Sequence, residues 1–173
     1  MRSVAILMVA FLALAFESPL LHRVSLAPYA PDIAMIIVLY VGLTTDYLPG
    51  ILLAVCVGLL KDAFSMSVPV GLYMETLLIA FLLTQRLSQR LSVRGPVGVM
   101  TLTAVFCVGC SLVEIVLCLI FDQDFGIGRG GTGAAFSAML PQALITAPFG
   151  PVIFWLLERF DGFITQPRES GFL

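Results

Sequence analysis

Residues 31–62 read PDIAMIIVLYVGLTTDYLPGILLAVCVGLLKD, and how this stretch divides decides the fold. Two apolar runs, Ile33 to Thr44 and Ile51 to Leu60, flank an interruption that carries Asp46, Pro49 and Gly50. Each run is shorter than the roughly 20 residues a helix needs to cross a bilayer, and the two together exceed one straight span. Proline and glycine mark a break and Asp46 favours an interface. The stretch therefore predicts two short spans joined by a turn over Thr44 to Gly50, with a re-entrant hairpin as the other arrangement open to it.

The same texture continues on both sides. Upstream, Arg2 precedes an apolar run from Val4 to Phe16. It has the charge and length of a signal peptide but leads straight into further apolar segments, so it reads as a retained first span. Downstream, apolar segments run from Val70 to about Thr84, from Val97 to Phe121, and from about Ala134 to Leu157 through Pro141, Pro148 and Pro151. The expectation is an all-α polytopic membrane protein, a compact bundle of about six short transmembrane helices forming one integral membrane domain over 1–173. Composition agrees: the 173 residues are 60% hydrophobic and 12% charged, against about 25% charged in ordinary soluble domains. That leaves too little polar surface to cover a water-soluble globule.

Several function classes drop out at once. A net charge of −2 without a basic run carries no nucleic-acid footprint. His22 is the single histidine, so no histidine pair can hold a metal, and no Ser/His/Asp or Cys/His set offers nucleophilic catalysis. Cys56, Cys107, Cys110 and Cys118 all lie in apolar runs and read as small buried residues. The GxGxxG match at Gly126 to Gly131 follows no strand and reads as a flexible loop. No cofactor is expected.

Counting basic residues at alternate ends sets the orientation. Arg2, Arg86, Arg90, Arg94, Arg159 and Arg168 fall on one side, and Arg23, Lys61 and Arg129 on the other. Both termini are therefore expected in the cytoplasm. Arg86, Arg90 and Arg94 repeat at every fourth residue, so a helical extension of the fourth span would align them as an inner-surface stripe, a topology anchor or a contact for a cytoplasmic partner.

Four carboxylates remain. Glu75 and Glu114 fall inside apolar segments, where a charge is costly, and are expected to face the bundle interior or to be protonated. Small neighbours such as Gly71 and Ser111 allow close helix approach around them. Asp32 begins the second span and Asp62 ends the third, which places both at outer ends, with Lys61 expected to neutralise Asp62 in part. Capping and loop-fixing is the simpler role for the two aspartates. An intramembrane aspartyl dyad would require them to share a proton.

Pro31-Asp-Ile-Ala-Met-Ile-Ile-Val-Leu-Tyr40, followed by Gly58-Leu-Leu-Lys-Asp62-Ala-Phe-Ser65 with Gly71 shortly after, resembles the central signature of MreD, the rod shape-determining membrane protein family. The final span, Ala147-Pro-Phe-Gly-Pro-Val-Ile-Phe-Trp-Leu-Leu-Glu-Arg159, is also similar. The chain departs from the family pattern at Lys61, where an apolar residue is usual, and at Met66 with the extra length through Pro69. The resemblance implies a non-enzymatic scaffold of the elongasome in the bacterial inner membrane, with MreC as its direct partner and MreB, RodA and the RodA transpeptidase as further partners. It implies a fold similar to the small substrate-binding subunits of vitamin transporters. Asp32, Asp62 and Gly71 would then shape an outer junction, and Arg86, Arg90 and Arg94 an inner contact.

Because such a fold is shared, a substrate-binding subunit of a small-molecule transporter is the alternative. That function would need a ligand cavity lined by Glu75 or Glu114. An intramembrane hydrolase is a third possibility and would require Asp32 and Asp62 to converge.

Overall fold

The computed structural model describes residues 2–24, 31–64, 71–88, 95–121 and 131–164, with side chains placed for 3–15, 31–64, 71–88, 95–117 and 139–160. All regular structure among these residues is helical: α1 (Arg2–Val24), α2 (Ile33–Thr44), α3 (Tyr47–Phe64), α4 (Leu72–Ser88), α5 (Gly95–Phe121) and α6 (Gly131–Ile164).

The decisive stretch does split in two, but the turn is tighter than expected. Only Thr45 and Asp46 separate α2 from α3. Pro49 and Gly50 lie in the first turn of α3, where proline costs little because its missing N–H would have no intrahelical acceptor. The first hydrogen bond of α3 runs from the Gly50 N–H to the Asp46 carbonyl at 2.9 Å. The Thr45 N–H closes α2 by donating to the Val41 carbonyl at 2.9 Å. Helix ends elsewhere also run past their apolar cores: α1 continues through Pro19 to Val24, and α6 passes through its three prolines to Ile164.

The two halves of the stretch have different roles. With 12 residues, α2 is about 18 Å long, well short of a hydrocarbon core of about 30 Å. It is instead the centre of the bundle, enclosed on every side from Ala34 to Gly42 and touching each of the other five helices. An uninterrupted apolar sequence without an amphipathic stripe suits that position. Among the described residues, three helical segments are long and apolar enough to cross a membrane: Tyr47–Phe64, Gly95–Leu117 and Met139–Phe160.

Large apolar side chains are turned outward on these helices, among them Leu48 and Leu52 on α3, Val105 and Val116 on α5, and Leu144, Val152 and Trp155 on α6. Polar groups are turned inward or folded back. The hydroxyls of Thr76, Thr84 and Thr103, all buried, donate to the carbonyls of Leu72, Ala80 and Val99 at 2.7–2.9 Å. This distribution fits a lipid-facing surface, where an unsatisfied polar group costs several kcal/mol.

Because lipid tails are as apolar as leucine, helices in a membrane associate through close packing and not through burial from water. The α3–α4 pair shows how. Gly50, Ala54, Gly58 and Asp62 repeat every four residues and are all buried on one face of α3. A Cβ at Gly50 would collide with the Phe81 ring, and one at Gly58 would stand 2.5 Å from the Met74 Cα. The seam fixes an antiparallel register in which Gly50 meets Phe81, Gly58 meets Met74, and Asp62 meets the start of α4. Gly42 against Thr84 and Gly150 against Thr103 bring α2 to α4 and α6 to α5 in the same manner.

Candidate functional site

The register of the α3–α4 seam delivers Asp62, 4% exposed, to the amino terminus of α4. Its Oδ2 accepts from the N–H groups of Gly71 at 2.9 Å and Met74 at 3.2 Å, and its Oδ1 from that of Tyr73 at 3.1 Å. These are the donors a helix start leaves without intrahelical acceptors, and the helix dipole adds a further attraction for the carboxylate. Gly71 makes the arrangement feasible with φ +115°, a backbone state that side chains disfavour, although a Cβ there would meet nothing within 4 Å. The requirement at Gly71 is conformational, with no steric component.

Asp32 performs the parallel task for α2. Its Oδ1 accepts from the Met35 N–H at 3.1 Å, the geometry of an N-cap. Its Oδ2 accepts from the Lys61 ammonium at 2.7 Å. Lys61 also lies over the Tyr73 ring, 4.2 Å from its centroid, within the range of a cation–π contact. The Asp32 N–H donates to Thr146 Oγ1 on α6 at 3.3 Å. Asp32, Lys61, Asp62, Gly71 and Tyr73 thus form one junction that ties α2, α3, α4 and α6 at the same end of the bundle.

Lys61 therefore neutralises Asp32 and leaves Asp62 to the backbone, contrary to expectation. The reason is hairpin geometry. Asp32 lies 14 residues before Asp46, and Lys61 lies 14 residues after Tyr47. Two antiparallel helices joined by a tight turn bring these positions level with each other.

The two glutamates part ways. Glu75 is exposed in the first turn of α4, so it does not face the interior as its place in an apolar segment predicts. Glu114 is partly buried on α5 and close enough to Lys61 and Asp32 to interact with them electrostatically. Arg86 is exposed in the last turn of α4, at the opposite end of the bundle. Arg90 and Arg94 lie outside the described residues, as does the predicted stripe. Thr146 and Tyr73 are junction residues that spacing alone does not single out.

The chemistry of the junction is that of a clamp. The oxygens of Asp32 and Asp62 bond different donors, an ammonium and a cap N–H in one case and three backbone N–H groups in the other. Lys61 and Asp32 expose only 19% and 10% of their side chains. Removing one member of a pair buried to this degree leaves the other uncompensated, at a cost of about 3–5 kcal/mol. Among the described residues no group of three or more His, Cys, Asp or Glu is placed to hold a metal ion.

Comparison of the chain with protein-family models, with curated proteins and with solved structures finds no match.

Proposed function

We propose that the chain is a non-enzymatic membrane adaptor of the MreD type, placed in the bacterial inner membrane with both termini in the cytoplasm. In this role it helps maintain rod shape by linking the cytoplasmic MreB filament, through MreC, to peptidoglycan synthesis by RodA and its transpeptidase. The supporting observation is the junction itself. Asp32, distant in sequence from Asp62 and Gly71, meets them at one end of the bundle, where these polar and glycine positions of the resembling stretch fix helix starts. Their partners are protein groups, and the role this supports is a rigid end-surface for a neighbouring protein. Under the proposed orientation that end faces the periplasm, and Arg86 marks the cytoplasmic end.

Depletion followed by microscopy tests the physiology. Loss of rod shape is the expected result, and unchanged shape would overturn the proposal. A small molecule retained through purification would favour the transporter subunit instead.

A further inference from the structure

At the end of the bundle opposite the junction, a groove of about 380 Å³ opens on the outer surface between the start of α3 and the last turns of α4. Ile79, Leu82 and Leu83 form its apolar wall, and Tyr47, Gln85 and Arg86 its polar rim. The volume falls at the low end of the roughly 300–1,000 Å³ of small-molecule sites. The groove is prearranged. Gln85 is anchored by donating its amide N–H to the Thr45 carbonyl at 2.7 Å, and the Tyr47 ring rests against Phe81 with centroids 6.4 Å apart. Phe81 is itself seated on Gly50. Arg86 is exposed and has no ion-pair partner among the described carboxylates.

We propose that this groove binds an anionic phospholipid, one acyl chain lying along Ile79, Leu82 and Leu83 and the phosphate meeting Arg86. Three features select this occupant. The groove lies on the outward face of helices whose neighbouring surface is apolar, with Leu48 and Leu52 on α3 strongly exposed, so a lipid chain is the solvent it meets. Its polarity runs from apolar at Ile79 to cationic at Arg86 along the axis of α4, which matches the order of tail and headgroup. A guanidinium forks onto phosphate oxygens with two parallel hydrogen bonds, and a tyrosine at the same level suits the headgroup interface.

Native mass spectrometry of the full chain in mild detergent tests this, with phosphatidylglycerol and phosphatidylcholine of identical acyl chains as probes and inorganic phosphate as competitor. Phosphatidylglycerol should be retained about fivefold or more over phosphatidylcholine. Arg86→Gln should bring the two lipids to parity, while Arg159→Gln on α6 should leave the preference intact. Equal retention by the unaltered protein, or equal loss of preference in both variants, would overturn the proposal. Displacement of the lipid by phosphate would overturn it too, by assigning a bare anion site. A photoreactive phosphatidylglycerol gives a readout that needs no variant. Its label should fall on residues 79–86 or on Tyr47, and labelling confined to other helices would contradict the assignment.

Discussion

Lys61 in the last turn of α3 and Asp32 at the start of α2 form a 2.7 Å ion pair across 29 residues of sequence. The pair closes a helical hairpin whose turn is only Thr45 and Asp46, and it joins the capping of α2 to the capping of α4 next door. If the pair is a clamp, its two members are coupled. Asp32→Ala should destabilise by about 3–5 kcal/mol, because it strands the Lys61 ammonium and removes the α2 cap. Lys61→Met in the same background should recover most of that loss. Thermal unfolding in mild detergent reads both, and additive losses in the double variant would show that the residues act separately.

Asp62 and Gly71 make a second coupled pair. Gly71→Ala should cost about 1–3 kcal/mol from its φ of +115° alone, since no neighbour obstructs the added methyl group. Asp62→Ala releases three α4 N–H groups and should cost at least as much as losing an ordinary helix cap, about 1–2 kcal/mol. Hydrogen exchange at Gly71, Tyr73 and Met74 is the specific check. Exchange should accelerate in Asp62→Ala, and unchanged protection would mean that other groups cap α4.

The glycine seam predicts opposite outcomes for two chemically identical changes. Gly58→Ala places a methyl group against the Met74 backbone and should destabilise by about 1–3 kcal/mol through overpacking. Gly109→Ala on α5 meets nothing within 4 Å and should be neutral or stabilise by up to about 1 kcal/mol, the helix-propensity gain. Melting temperatures of the two variants measured side by side decide this, and equal losses would contradict the seam.

The outward apolar face has an optical test. Trp155 is the chain's single tryptophan and is 64% exposed on α6. In reconstituted vesicles it should be quenched by brominated lipid and shielded from aqueous acrylamide. Efficient acrylamide quenching would place that face in water.

The bundle is legible in the sequence because apolar runs and their interruptions are local signals, and six runs become six helices. The fine boundaries are less so. Pro49 looks like a breaker and becomes a first-turn residue, because the cost of a proline depends on whether its missing N–H had an acceptor. The length of α2 hides its role as well, since 12 apolar residues fit a short span and an enclosed central helix alike until the neighbours are known. Among the site residues, Asp32 and Asp62 were readable as caps from their places at helix ends. The Lys61–Asp32 pairing required the hairpin register, for which equal spacing about the turn was the available clue. Glu75 misleads because an apolar context does not say which face of a helix turns outward.

The central claim, that this clamped bundle is a membrane adaptor of the elongation machinery, is tested most directly by affinity purification of the intact chain from native membranes in mild detergent, with identification of what comes with it. Recovery of MreC is the predicted result. Recovery of transporter ATPase subunits without MreC would contradict it.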